Sequence, residues 1–229
     1  MTELVVGVTV LAHRRAGYLR QTLDALAKCN RVSGWRITIV LDRPDALTRD
    51  CVDCMACAGW EVATLDLRNR ADPPYSRISR ATLLALSLGF VTADYVVHLE
   101  EDCVPAPDLL TWHAAMAERY RDDKRVFTVS AWSGAPGIRH ADDHLAPFFT
   151  PWGWGTWRDR FDEMRADWDL SGGQWDVRVN EVLRGSRMGV FPAVSLVRNI
   201  GRIGTQPEAE WLAREQVGVV TRGGTKAIA

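Results

Sequence analysis

The sequence predicts an α/β fold, with one open, mostly parallel sheet and helices on both of its faces, in a single domain. The chain has 229 residues, of which 47% are hydrophobic and 25% charged, and a formal net charge of −1, which is typical of one soluble globular domain. Apolar, β-branched segments alternate with segments of helical spacing from Leu4 to Ala131, joined by short connections. Repeated strand–helix units of this kind favour a parallel sheet.

The first half of the chain predicts strands and helices in strict alternation. Its first segment, LVVGVTVLA, is almost continuously apolar, as expected of a parallel strand buried on both faces. The next segment places Leu19, Leu23 and Leu26 at helical spacing. The predicted strands are Leu4–Ala12, Arg36–Leu41, Glu61–Leu65, Tyr95–Leu99 and Val126–Ala131; the predicted helices are Gly17–Cys29, Ala46–Gly59, Ser76–Gly89 and Leu109–Tyr120. Such sheets bind ligands at the carboxyl ends of their strands, so polar residues that follow each strand are candidate site residues.

The second half is less regular and rich in Pro, Gly and Trp. Six of the ten tryptophans fall between Trp132 and Trp175. We predict one domain over residues 1–220, with a nucleotide-binding half (1–131) and an acceptor and catalytic half (132–206), followed by a frayed tail at 221–229. The predicted elements are helices at Trp157–Met164, Trp175–Leu183 and Glu208–Gln216 and a strand at Gly189–Pro192.

Composition excludes several classes of protein: chains with extended basic tails, collagen-like repeats, disordered low-complexity chains and disulfide-stapled miniproteins. No apolar run approaches the roughly 20 residues of a membrane span. The first strand has no basic leader or cleavage site before it, and the five cysteines are an odd number, which predicts reduced thiols in the cytoplasm. Cys51, Cys54 and Cys57 form either a metal site or, as we favour without an evident fourth ligand, a buried stripe on a helix.

Three consecutive acids, Glu100, Glu101 and Asp102, follow the strand predicted at Tyr95–Leu99. Adjacent like charges repel each other and need a cation. Hard carboxylate oxygens suit Mg²⁺ or Mn²⁺, which can clamp a diphosphate and stabilise the charge on a leaving nucleotide. The alternative is a solvated acidic turn before the next helix, but the position at a strand end favours a metal site.

Polar residues also follow the first two strands. Arg14 and Arg15 come after the first strand, and Asp42 ends the second. Arginine can donate charge-assisted hydrogen bonds to phosphate, and an aspartate can accept hydrogen bonds from a base or ribose. Surface charge at the start of a loop is the alternative for each residue. Other basic residues, Arg77 among them, are interpreted as solvated helix faces.

The segment PWGWGTW combines glycines with three indoles, those of Trp152, Trp154 and Trp157. Backbone at glycine can approach a ligand closely, and indole faces can stack on a sugar or a nucleobase. The alternative is core packing under a lid loop, because three exposed indoles in seven residues would be a costly surface.

Seven segments of the chain, in order over roughly residues 4–206, resemble GT-A-type nucleotide-sugar glycosyltransferases. The resemblance is to the N-acetylglucosaminyltransferase family that initiates complex N-glycans, with its bacterial and phage relatives. The segments are LVVGVTVLAHRRAGYLRQTLDAL, RITIVLD, ADYVVHLEEDCVPAPDLL, VFTVSAWSG, PFFTPWGWGTWRDRF, GQWDVRV and VSLVRNIGRIGTQ. This resemblance implies a GT-A fold, a UDP-linked donor, dependence on Mn²⁺ or Mg²⁺, and inversion at the anomeric carbon.

The resemblance also implies residue roles for the donor. Arg14 or Arg15 would contact the nucleotide, Asp42 the uracil, and Glu101 the donor ribose or sugar, while Asp102 would hold the metal. Glu100 and Arg80 are assigned to the same nucleotide-sugar site.

Two further roles concern the acceptor half. Asp176 occupies the position of the general base, although it could instead cap the following helix. Trp175, beside it, joins the indoles expected around the acceptor.

Three positions depart from the family pattern. Glu101 stands where the family often has Asp, and Ala81 where some members have a nucleotide-contacting His. Gln206 stands where relatives commonly have His near the metal and diphosphate. Because Gln is a poorer metal ligand and cannot carry a proton, strict metal dependence is left open.

The resulting prediction is a metal-dependent inverting glycosyltransferase that uses a UDP-sugar. The acceptor is a saccharide or protein hydroxyl or, as in phage enzymes, a hydroxymethylated DNA base, although a net charge of −1 disfavours DNA. The main alternative is an inactive nucleotide-sugar or carbohydrate-binding domain. A nucleotidyltransferase is less favoured, because His13–Gly17 is not a glycine-rich phosphate loop.

Overall fold

The computed structural model describes residues 4–30, 34–56, 59–65, 74–133, 141–168, 170 and 174–201. Within these ranges the strands are β1 (Val6–Ala12), β2 (Arg36–Asp42), β3 (Glu61–Leu65), β4 (Tyr95–Glu100), β5 (Cys103–Pro105), β6 (Val126–Ser130), β7 (His144–Ala146), β8 (Trp154–Trp157), β9 (Met188–Phe191) and β10 (Val197–Asn199). The helices are α1 (Ala16–Leu26), α2 (Ala46–Ala56), α3 (Pro74–Thr92), α4 (Leu109–Arg119), α5 (Arg158–Ala166) and α6 (Trp175–Arg178), which continues into a π-helical turn at Val179–Leu183.

Eight strands form one mixed sheet in the order β3-β2-β1-β4-β8-β6-β9-β7. The four strands β3, β2, β1 and β4 are mutually parallel, which confirms the predicted parallel half. Strand β8 lies antiparallel between β4 and β6, and β7 is antiparallel to β9, so the sheet is mixed beyond β4. A separate antiparallel pair joins β5 to β10. The predicted α/β fold class is confirmed.

Helices cover both faces of the sheet and enclose two hydrophobic clusters. Val97 of β4 packs in the cluster that includes Leu19 and Leu23 of α1, whereas its neighbour Val96 packs in the cluster that includes Phe90 of α3 and Phe161 of α5. Because side chains alternate along a strand, the two valines point to opposite faces. The first strand is almost continuously apolar because β1 is buried on both faces of the sheet.

The second half differs most from its prediction. Trp154–Trp157 is a central strand, not part of a lid loop, and the helix predicted from Trp157 begins at Arg158. Gly155 allows this close packing, because a Cβ there would overlap the Tyr95 side chain. Strands β5, β7 and β10 were not predicted, since three residues are too few to show a period.

Two predicted segments, the helix Glu208–Gln216 and the tail at 221–229, lie outside the described residues. In the parts of the chain that are described, no helix combines the length and apolar character that crossing a membrane requires.

Candidate active site

The carboxyl ends of β1, β2 and β4 meet at one edge of the sheet. Leu11 of β1 lies opposite Glu100 of β4, and Ala12 lies opposite Leu41 of β2. The polar residues that follow these strands are therefore brought together, as the sequence predicts. They comprise His13, Arg14, Arg15, Asp42, Arg43 and the three acids that follow Leu99.

Arg15 holds the last two acids together. Its Nε atom donates a hydrogen bond to Glu101 Oε1 at 2.6 Å, and its Nη2 atom lies 2.8 Å from Asp102 Oδ2. The backbone N–H of His13 donates to the other Glu101 oxygen at 2.8 Å. Glu101 and Asp102 are only 3% and 4% exposed, so the interpretation of these acids as a solvated turn is wrong.

Two of these acids, Glu100 and Asp102, have raised pKa values. Burial raises the pKa of Asp102, the Arg15 charge opposes this shift, and the neighbouring Glu101 adds to it. The pKa of Glu100 is raised to about 8, mainly by burial and also by the negative charges of Asp102 and Asp176, against the opposing effect of Arg15. The site therefore concentrates negative charge that a bound cation would relieve.

Asp176 lies in the second half of the chain, far in sequence from the acids after β4. It lies in the first turn of α6, whose N-cap residue is Gln174, so the interpretation of Asp176 as the helix cap is wrong. Burial raises the pKa of the Asp176 carboxyl, although the backbone N–H groups of Val177 and of Asp176 itself oppose the shift. The negative charge of Asp176 is among the causes that raise the pKa of Glu100, so the predicted base lies within electrostatic range of the acids.

Asp42 is buried beside two arginines and a histidine. Its carboxylate lies 3.4 Å from His13 Nδ1, 3.7 Å from Arg77 Nε and 3.8 Å from Arg43 Nε. These distances are ion-pair distances, and Asp42 Oδ1 has no hydrogen-bond partner among the described residues. A buried carboxylate oxygen without a donor is costly, so this atom is available to accept an N–H group from a ligand.

The basic residues of the site have different roles. Arg14 is exposed, and its Nε atom donates to the Arg43 carbonyl at 3.0 Å, so it links the loops after β1 and β2. Arg80 is half-buried on α3, one turn beyond Arg77. Sequence reasoning placed Arg77 on a solvated face, and this was wrong, because Arg77 pairs with Asp42.

His13 was missed by sequence reasoning as a site residue. Its ring nitrogen Nδ1 lies 2.7 Å from the Asp42 carbonyl oxygen, and its backbone N–H binds Glu101. The signal that could have found it is its position directly after β1.

Three of the four tryptophans proposed to stack on a sugar belong to the core. Trp154 and Trp157 are 0% and 2% exposed, and Trp175, at 7%, is stacked on both Trp154 and Trp168. The stacking role was wrong for these three, because β8 and α6 direct their rings into the interior. Trp152 is half-buried, with its ring edge-to-face against Trp132 at 4.6 Å, and its role remains a prediction.

The cysteine run and Gln206 are only partly described. Cys51 is buried, and its thiol lies 3.5 Å from the Ala16 carbonyl oxygen, in agreement with a core-facing position. The Cys54 side chain, Cys57 and Gln206 lie outside the described residues.

Asp102 is the described residue best placed to bind a divalent cation. Both oxygens of Glu101 have N–H donors, whereas Asp102 Oδ1 lies 4.0 Å from the Cys103 thiol. The described residues contain no cluster of three or more His, Cys, Asp or Glu that could hold a metal. One carboxylate suits a cation such as Mg²⁺ that takes its other ligands from substrate phosphates and water, so the residues fit a metal bound with a nucleotide.

Comparison with known proteins gives the family. Residues 1–209 match the model of the GNT-I family. The chain belongs to the GNT-I family. It is 26% identical over 217 residues to alpha-1,3-mannosyl-glycoprotein 2-beta-N-acetylglucosaminyltransferase of Arabidopsis thaliana, covering 88% of this chain and 48% of that protein. This GNT-I family chain thus spans about half the length of that curated relative.

Solved structures share its GT-A fold at low identity. The mannosyltransferase PcManGT of Pyrobaculum calidifontis, solved with GDP-Man and Mn²⁺, has a TM-score of 0.57 at 18% identity, over 84% of this chain and 55% of that chain. S. aureus TarS 1-349 has a TM-score of 0.61 at 12% identity, over 83% of this chain and 59% of that chain. Glucosyl-3-phosphoglycerate synthase of Mycobacterium tuberculosis, solved with Mn²⁺, UDP and phosphoglyceric acid, has a TM-score of 0.55 at 10% identity, over 92% and 75%.

Proposed function

We propose that this chain is a metal-dependent, inverting glycosyltransferase that moves a sugar from a UDP-sugar to a saccharide hydroxyl. The observation that carries the proposal is the position of Asp176 within electrostatic range of Glu100, the first of the acids at the end of β4. Family membership supports the reaction class, since the Arabidopsis thaliana relative is named as an N-acetylglucosaminyltransferase. Mn²⁺ and nucleotides in solved proteins of the same fold support the donor and the cofactor.

The donor would bind along the edge formed by β1, β2 and β4. Asp42 Oδ1 lacks a donor among the described residues and would accept the N–H group of uracil. Arg14, exposed beside it, would bind the nucleotide, with Glu100 and Arg80 nearer the sugar and phosphates. Glu101 holds the β1–α1 loop through His13 and would contact the donor only through a remaining lone pair.

Asp102 would hold the divalent cation, which when bound would neutralise charge that develops on the departing diphosphate. The acceptor hydroxyl would lie against Asp176. As its oxygen attacks the anomeric carbon, its proton passes to the Asp176 carboxylate, and the bond from that carbon to the diphosphate oxygen breaks on the opposite side. Inversion follows from this in-line displacement. A raised pKa makes Asp176 a stronger base, although it must be ionised to act.

A saccharide acceptor is favoured over DNA. The DNA hypothesis depends on a flipped base stacked on tryptophan, and Trp154, Trp157 and Trp175 are buried. The net charge of −1 also lacks the basic excess of DNA-binding proteins.

The test is turnover of UDP-sugars, UDP-N-acetylglucosamine first, with Mn²⁺ and an array of saccharides. We expect Asp176→Asn to lower kcat by about 10²- to 10⁴-fold while UDP affinity, measured by calorimetry, stays unchanged. Asp162→Asn, on the exposed side of α5, is the matched control and should keep full turnover. Unchanged turnover in Asp176→Asn would refute its role as base, and UDP binding without turnover in the wild type would favour the inactive domain.

A further inference from the structure

Arg15 occupies an unusual position between helix α1 and the acids. It is the residue just before α1, and its guanidinium spans Glu101 at 2.6 Å and Asp102 at 2.8 Å. The Arg15 side chain is 33% exposed, whereas those of Glu101 and Asp102 are 5% and 6% exposed. The guanidinium therefore lies between the buried acids and solvent, on the side from which a ligand would arrive.

In this position, the positive charge of Arg15 disfavours the binding of a divalent cation at Asp102. An arginine keeps its positive charge at any physiological pH, so it repels a cation at Asp102. Asp102 Oδ2 is also shielded by Gly201, since a Cβ at residue 201 would overlap that oxygen. A free cation must therefore approach a carboxylate that already has its counter-ion.

The two ends of the guanidinium are held differently. The Nε atom binds Glu101, whose other oxygen is fixed by the His13 backbone N–H. The terminal Nη2 atom lies 2.8 Å from Asp102 Oδ2. A movement of the outer guanidinium could release Asp102 while the bond to Glu101 remains. A diphosphate is the group to draw it away, because arginine binds phosphate oxygens in a bidentate fork.

We propose that Arg15 is a built-in counter-ion of Asp102 that excludes free divalent cations and passes to the donor diphosphate, so that metal and nucleotide bind tightly only together. The proposal rests on the proposed function, because it assumes a nucleotide diphosphate at this edge. It assigns Arg15 a positioning role that differs from that of Arg14.

The first test measures Mn²⁺ binding without nucleotide, by calorimetry and by the electron paramagnetic resonance signal of free Mn²⁺. We expect Arg15→Gln to bind Mn²⁺ at least about tenfold more tightly than the wild type. Arg36→Gln removes the same charge at the opposite end of β2, on an exposed residue, and should bind like the wild type. Equal Mn²⁺ affinity in Arg15→Gln and the wild type would overturn the proposal.

The second test repeats the titration with saturating UDP. UDP should tighten Mn²⁺ binding by about tenfold or more in the wild type, and by much less in Arg15→Gln, whose Asp102 is already free. The same coupling in both proteins would overturn the proposal. If UDP binds neither the wild type nor Arg36→Gln, the proposed function fails, while the nucleotide-free titration still decides whether Arg15 excludes the metal.

A third variant separates charge from folding. Arg15→Lys keeps the charge but cannot span both acids, so its affinity for free Mn²⁺ should lie between those of the wild type and Arg15→Gln. If Arg15→Gln is less stable than the wild type, binding can still be measured from the increase in Tm on addition of Mn²⁺. This increase should be larger for Arg15→Gln than for the wild type. Equal Mn²⁺ affinity in Arg15→Lys and Arg15→Gln would show that the charge at residue 15 is irrelevant, and the proposal would fail.

Discussion

The polar edge of β1, β2 and β4 and the tryptophan-rich segment around β8 were both candidate ligand sites, and they differ in outcome. At the polar edge, Arg15 pairs with the buried Asp102, and the buried Asp42 lies 3.7 Å from Arg77 Nε. Around β8, the rings of Trp154 and Trp157 fill the interior. The charged candidates lie at a site, whereas most of the aromatic ones form the core.

Charged residues indicate a ligand site more reliably than aromatic residues do. A charged side chain is costly to bury. Three acids directly after an apolar strand therefore indicate that their charge has a role at the strand end. An indole ring fits a core as well as a ligand surface. Trp154 and Trp157 are three residues apart in a strand, so they point to opposite faces and pack in different clusters.

The largest expected effect tests the interior role of Trp154. Trp154→Ala should lower the free energy of unfolding by about 3–5 kcal/mol, because it leaves a cavity between Phe149 and Trp175. Urea denaturation measures this loss. Trp152→Ala is the control, and its smaller loss would reflect a half-buried ring. A loss below about 1 kcal/mol for Trp154→Ala would place that ring outside the core.

The parallel half of the fold was predictable because each element carries its own signal. Leu19, Leu23 and Leu26 mark the buried stripe of α1, and all three are 0% exposed. Topology then places the residues after β1, β2 and β4 together without any long-range information. Strand β8 carries no such signal, because the sequence WGTW does not alternate and its partners β4 and β6 are set by tertiary structure.

The contacts within the site were less predictable than its location. The sequence places Arg14 and Arg15 side by side, yet only Arg15 reaches the acids, because the direction of each side chain depends on how the loop enters α1. Asp176 is far from Glu100 in sequence, and only the second half of the fold brings their charges into range.

A smaller effect is expected on UDP affinity when Asp42 is replaced, and it tests whether Asp42 contacts the base of the nucleotide. Asp42→Ala should weaken UDP binding by about tenfold or more, because a hydrogen bond to a charged group is lost. Asp42→Asn, which keeps an acceptor oxygen, should lose less. The discriminating measurement is the ratio of UDP to CDP affinity, since cytosine presents no ring N–H to this carboxylate. If that ratio is the same in the wild type and Asp42→Ala, Asp42 does not contact the base.

The last prediction concerns the pH dependence that Glu100 contributes to stability. Burial raises the pKa of Glu100 from 4.5 to about 8, so between these values the folded protein binds more protons than the unfolded chain. The free energy of unfolding should therefore fall as pH rises from about 4.5 to 8, and the contribution of a protonated Glu100 is fully present only below this window. Glu100→Gln should flatten this slope, as measured by urea denaturation at several pH values without added metal.

Glu118→Gln, on an exposed position of α4, is the matched control and should keep the wild-type slope. The acids at this strand end give the stability a pH dependence that the uncharged rings of the tryptophan-rich segment cannot contribute. Mn²⁺ with UDP should reduce the slope in the wild type, since a bound cation favours the ionised acids. A wild-type slope in Glu100→Gln would mean that Glu100 does not retain its proton in the folded protein between pH 4.5 and about 8, and that another group produces the pH dependence.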